Sequence, residues 1–68
     1  MDNLKDKIKK AYDLHSNGQL IEAEAIYQDI LHIDKKNTEV NYLLGLVKFE
    51  LGKLNEAYKL IKKISENN

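Results

Sequence analysis

The phrase Gly18-Gln19-Leu20-Ile21-Glu22-Ala23 returns 34 residues later as Gly52-Lys53-Leu54-Asn55-Glu56-Ala57. Gly, Leu, Glu and Ala recur in register. The same offset pairs Asn3 with Asn37 and Ile30 with Ile64, and it sets Ala11 against Gly45, Ile26 against Leu60 and Tyr27 against Ile61. A fixed period in a chain of 68 residues means that one structural unit is built twice. Such a chain is expected to work through a surface, not through a catalytic cluster.

Apolar spacing reads as helix throughout. Leu4, Ile8, Ala11, Tyr12 and His15 share one helical face, and Ser16-Asn17-Gly18 stops that helix with a glycine suited to a left-handed exit. A second helix is expected from about Leu20 to Ile33, with Leu20, Ala23, Tyr27, Ile30 and Leu31 as its stripe. Its first turn carries Glu22 and Glu24, where the macrodipole favours acids. Asp34-Lys35-Lys36-Asn37 breaks the periodicity, and Asn37 or Thr38 suits the N-cap of a third helix. That helix, about Thr38 to Leu51, carries Val40, Tyr42, Leu43, Leu44, Leu46, Val47, Phe49 and Leu51. A helix apolar nearly all round is covered on several sides. Gly45 lies within it at a cost of about 1 kcal/mol relative to Ala, so another helix should approach closely there. A fourth helix, about Leu54 to Ser65, carries Leu54, Ala57, Tyr58, Leu60, Ile61 and Ile64. Connections this short make successive helices antiparallel neighbours. The expected fold is all-α: two stacked antiparallel helix-turn-helix hairpins in one domain over residues 1–68.

Composition narrows the function. Eleven Lys balance eleven acids, with no Arg, which gives no electrostatic reason to expect nucleic acid or an anionic membrane. The run Lys5, Lys7, Lys9 and Lys10 is offset by Asp2 and Asp6 and reads as a solvated helix face. No stretch approaches about 18 uninterrupted apolar residues, so no membrane span is expected. The chain has no cysteine to make a disulfide or thiolate metal site, which is compatible with a cytoplasmic location. Charge is nevertheless uneven. Residues 11–34 hold five acids and no Lys, while the remainder holds all eleven Lys against six acids. Such a separation can orient a partner or a second copy, although a solvated surface with local bias explains it as well.

These residues resemble the tetratricopeptide repeat family, a 34-residue helix-turn-helix. Leu44-Gly45, Gly52 and Ala57 in the second unit, and Ala11, Gly18, Ala23 and Tyr27 in the first, fall on its signature positions. Glu22-Ala23 and Glu56-Ala57 match its common acid-Ala pair. The resemblance covers about residues 4–67 and implies a short α-solenoid of four helices, with repeat one at about 4–37 and repeat two at about 38–68. Two features depart from the family. Its early aromatic is replaced by Lys7 and Asn41, and its closing Asp-Pro by Asp34-Lys35, which implies a looser junction. A generic four-helix bundle fits the stripes equally well, but not the exact period with its paired Gly and Ala.

Residues able to carry chemistry are sparse. Neither His15 nor His32 has a second metal-ligand type at helical spacing, and His15 suits packing or a groove. His15 and Ser16 are adjacent on a helix and point apart, so they form no dyad. No Gly-rich phosphate loop occurs, and no cofactor, metal or catalytic residue is expected.

By the resemblance, the first and third helices line a concave face that takes a peptide or helix. That face draws on Lys5, Ile8, Lys9, Tyr12, His15 and Ser16, then on Glu39, Tyr42, Leu43, Leu46 and Phe49. Ile8, Tyr12, Tyr42 and Leu43 stand where a clamp for a peptide's C-terminal carboxylate would want polar groups, so that mode is disfavoured. The alternative use of Tyr12, Tyr42 and Phe49 is simple packing between units.

A stack normally needs about three units or a polar cap, and here neither follows. Tyr58, Leu60, Ile61 and Ile64 cannot all face the preceding helix, so the end is expected to self-associate, giving a homodimer, the alternative being that the chain is a fragment of, or a docking unit for, something larger. The leading reading is a non-catalytic protein–protein interaction module. Its rivals are an accessory segment of a larger enzyme, such as a glycosyltransferase, and a structural or designed scaffold without ligand. A start at Met1 and an end at Asn67-Asn68 favour a free-standing product or an excised piece.

Overall fold

The computed structural model describes residues 3–66. The chain ends, Met1-Asp2 and Asn67-Asn68, on which the expectation of a free-standing or excised piece rests, lie outside the described residues. Four helices follow in order: α1 (Leu4–Ser16), α2 (Leu20–Ile33), α3 (Thr38–Glu50) and α4 (Leu54–Glu66). α3 stops one residue before the expected Leu51, which becomes its C-cap, and α4 runs one residue beyond the expected Ser65. Among the described residues, no strand forms and no helix is long and apolar enough to cross a membrane.

The repeated residues build repeated ends. Asn3 Oδ1 accepts from Asp6 N–H at 2.9 Å, and Asn37 Oδ1 accepts from Val40 N–H at 2.9 Å. Each Asn satisfies one of the free donors that a helix N-terminus leaves. The glycines close the same helices. Gly18 and Gly52 have φ of +82° and +80°, the left-handed region that side chains resist. After α1, Gln19 N–H donates to Leu14 O and Gly18 N–H to His15 O; after α3, Lys53 N–H donates to Lys48 O and Gly52 N–H to Phe49 O. These paired bonds satisfy carbonyls left open at a glycine-terminated helix end.

The hairpins α1–α2 and α3–α4 stack through α3, which touches all three other helices; among the described residues, α4 lies against α3 alone. The core is Ala11, Ala23, Tyr27, Ile30, Val40, Leu44 and Val47. Gly45 meets the close approach expected of it. A Cβ there would lie 2.7 Å from Ile61 Cδ1 and 3.7 Å from Ala57 O, so α4 sits on bare α3 backbone. The junction that lacks proline is tied by Asn41. Its buried amide donates to Asn37 O at 2.9 Å and Lys35 O at 3.2 Å, holding the α2–α3 turn to the helix that follows it.

Candidate functional site: two clefts on α3

Two clefts flank α3. The first, about 380 Å³, lies between α1 and α3 and is lined by Lys5, Ile8, Lys9, Tyr12, Glu39 and Leu43. The α1 residues fall at i, i+3, i+4 and i+7, one face of that helix. Ile8, Tyr12 and Leu43 give it an apolar surface; Lys5 and Lys9 stand at one rim and Glu39 at the other. Tyr12 is 52% exposed.

Polar aromatic groups lie close to this cleft. The Tyr12 and His15 rings meet edge to face with centroids 6.2 Å apart, and His15 meets Tyr27 in the same way at 6.4 Å. His15 Nε2–H donates to Glu50 Oε1 at 2.6 Å, a bond from α1 to the end of α3. Tyr27 is fully buried and its hydroxyl has no hydrogen-bond partner. Burial, and then the nearby Tyr12 and Glu39, push that hydroxyl up to about 12, so it stays neutral at physiological pH.

The second cleft, about 570 Å³, lies between α3 and α4. Gly45 and Ala57 are its smallest lining residues, with Leu46, Phe49, Leu54, Tyr58 and Ile61 around them. Tyr58 is 66% exposed and Phe49 64%. No charged side chain lines it.

The single concave face expected from sequence is therefore divided. Lys5, Ile8, Lys9 and Tyr12 come together in the first cleft, while Leu46 and Phe49 belong to the second, with Tyr58 and Ile61 from the expected self-association end. Tyr42 is half exposed and lines neither cleft. His15 packs against Tyr12 and Tyr27 instead of lining a cleft. Leu60 turns inward against the core and Ile64 is half-buried, so neither joins Tyr58 and Ile61 on the open face.

A four-membered ion cluster was missed altogether. Lys48 Nζ lies 2.7 Å from Glu24 Oε2 and 2.9 Å from Glu56 Oε1, and Lys53 Nζ lies 2.9 Å from the same Glu24 oxygen. Glu24 and Lys48 are both buried. The hydrogen bond from Lys48 holds the Glu24 carboxyl below its usual range; desolvation opposes this, and Lys53 reinforces it. Burial works to lower the Lys48 ammonium, but its bonds to Glu24 and Glu56 outweigh it and hold the group above its usual value. Thus Glu24 is not a solvated first-turn acid. It joins the acidic middle of the chain to its basic remainder within one molecule. The sequence did carry a signal: Glu24 shares the α2 arc of Ala23 and Tyr27, and Lys48 the α3 arc of Leu44 and Gly45.

Among the described residues, no group of three or more His, Cys, Asp or Glu could hold a metal ion. What the arrangement offers is surface: one amphipathic cleft and one apolar cleft, joined by the inner helix α3. Residues 14–68 match the model of the Tetratricopeptide repeat family. The chain belongs to this family. No curated protein and no solved structure matches it. Tetratricopeptide repeats generally mediate protein–protein interactions and are typically non-catalytic.

Proposed function

We propose that this chain is a non-catalytic tetratricopeptide repeat module that binds a peptide or helix in the α1–α3 cleft and associates with a further protein surface through the α3–α4 cleft. The observation that carries the first half is the make-up of the α1–α3 cleft. It offers an aromatic anchor, Tyr12, beside aliphatic Ile8 and Leu43, within a rim of opposite charges. Binding energy concentrates where an aromatic is desolvated in a pocket, and rim charges select orientation. The basic side at Lys5 and Lys9 favours a ligand with an acidic group beside an apolar anchor. A cytoplasmic location belongs to the same reading, supported by a cysteine-free composition that needs no oxidising compartment.

The test is selection from a displayed peptide library, followed by titration of the selected sequences. Tyr12→Ala should weaken binding at least about tenfold, the scale of one anchor residue, with helicity retained. Lys9→Glu should weaken peptides that carry an acidic group. Selected peptides that bind Tyr12→Ala as well as the parent protein would remove the cleft from consideration.

A further inference from the structure

We propose that the α3–α4 cleft is closed by α4 of a second copy of this chain, lying antiparallel across a two-fold axis between Tyr58 and Ile61. This deepens the reading that the open end meets another protein surface, and it rests on that reading.

The molecule contains its own template for what fills such a cleft. At an offset of 34 residues, the α3–α4 cleft corresponds to the groove between α1 and α2: Gly45 to Ala11, Ala57 to Ala23, Tyr58 to Glu24 and Ile61 to Tyr27. In the first hairpin that groove is filled by α3, and Ala11, Ala23 and Tyr27 are sealed completely. In the second, Gly45 and Ala57 are buried, but Tyr58 and Ile61 stand 66% and 38% exposed. The shape that fits is a helix returning antiparallel along the outer helix of the hairpin, as α3 returns along α2.

The side chains then select which helix. In the filled groove Glu24 receives Lys48 of the incoming helix. In the open one Tyr58 replaces that acid, so the incoming helix needs no cation there and is apolar along its stripe. Stacking copies head to tail would bring α1 into the cleft. The α1 residues at the positions of Val40, Asn41 and Leu44 are Asp6, Lys7 and Lys10, and burying those charges against Phe49 and Tyr58 is costly. α4 has the required stripe in Leu54, Tyr58 and Ile61. A two-fold interface must also present knob and hole on one patch. Here Tyr58 is the knob, and the hole is the open part of the cleft bounded by Leu46, Phe49 and Ile61.

The area is that of a weak dimer. Phe49 and Tyr58, each about two-thirds exposed, leave roughly 100–150 Å² apiece to bury. With Leu46, Leu54 and Ile61 the two copies together remove roughly 800–1,000 Å², the low end of specific interfaces.

Sedimentation equilibrium from about 1 to about 500 μM, the range in which interfaces of this size dissociate, tests association. The expected mass rises from 7.9 kDa towards twice that value and no further. Tyr58→Glu should hold the chain monomeric with unchanged circular dichroism, while Ile21→Glu, at an exposed α2 position away from the cleft, should not alter association. Because the chain has no native cysteine, Tyr58→Cys supplies a geometric test that does not depend on Tyr58→Glu folding. Oxidation should yield a disulfide-linked dimer, and Ile21→Cys should not. A wild-type chain monomeric throughout the range overturns both the self-association and this geometry. Association without cross-linking at position 58, or growth beyond a dimer, overturns the two-fold α4 contact and leaves association through the open end standing.

Discussion

The two hairpins share their turns, caps and small residues, yet they have opposite fates at the same positions. Tyr27 is sealed and Ile61 stands 38% exposed; His15, at the place of Phe49, is packed between two tyrosines while Phe49 projects into solvent. Glu24 is locked to Lys48 where Tyr58 stands 66% exposed. Local sequence makes each hairpin alike, and the next helix in the stack decides whether its face becomes core or surface.

The sharpest way to break that comparison is truncation at equivalent sites. Tyr27→Ala should cost about 3–5 kcal/mol, most of the stability of a domain this size, while Ile61→Ala should cost roughly 1–2 kcal/mol because its site is already partly open. Urea denaturation of both variants checks the contrast, and equal losses would mean that the second hairpin is as sealed as the first.

The ion cluster gives the next largest effect. Glu24→Gln leaves Lys48 with Glu56 alone and Lys53 without its acid, and should cost roughly 2–3 kcal/mol, somewhat under the loss for a fully sealed pair. Replacing Glu24 and Lys48 together by Leu should recover most of it. Leu14 already occupies the position equivalent to Lys48, so the fold accepts an apolar side chain on that arc.

Titration sharpens the same contrast with smaller shifts. The Glu24 carboxyl is held below its usual 4.5, first by the Lys48 hydrogen bond. Its contribution is fully present above that value and is lost as pH falls through the depressed one. Lys48 is raised above 10.5 despite the opposing effect of burial, and Tyr27 is raised from 10.0 to about 12 by burial. Both contributions are complete below the usual values and disappear as pH rises through the raised ones. The melting midpoint should therefore be flat from about pH 5 to about pH 10 and fall on both sides. Glu24→Gln should shrink the acid limb, leaving the part due to Glu56, whose carboxyl the Lys48 hydrogen bond also holds below its usual value, and should leave the Tyr27 part of the alkaline limb.

The smallest effect is at Gly45. Gly45→Ala gains about 1 kcal/mol of helix propensity but pushes Ile61 Cδ1 aside, and should be near neutral. In an Ile61→Val background, which removes Cδ1 but leaves Cγ1 3.2 Å from the new Cβ, only part of that gain of about 1 kcal/mol should appear in thermal melts.

The Gly18 and Gly52 turns and the Asn37 cap were legible in the sequence, because each follows from backbone chemistry within a few residues. The close approach at Gly45 was legible because a glycine in a helix needs a reason. Division of the α3 surface was not. With apolar residues nearly all round, the sequence of α3 does not say which arc its neighbours cover. α2 and α4 close over Asn41, Leu44, Gly45 and Lys48, leaving Tyr42 and Phe49 outside. Lys48 in that covered arc finds two acids, and the Asn41 Nδ2–H2 group donates to two carbonyls while its Oδ1 is left without a partner. Such satisfaction depends on positions in three dimensions, which periodicity alone does not report.

α4 rests on a single neighbour, and that has a consequence in time as well as space. Its backbone amides are held by one packed face, so they open to solvent at a lower free energy than those of α2, which is held by α1 and α3. Hydrogen–deuterium exchange should run through α4 first. If a second copy covers that helix, its exchange should slow as protein concentration rises, while exchange from α2 stays constant.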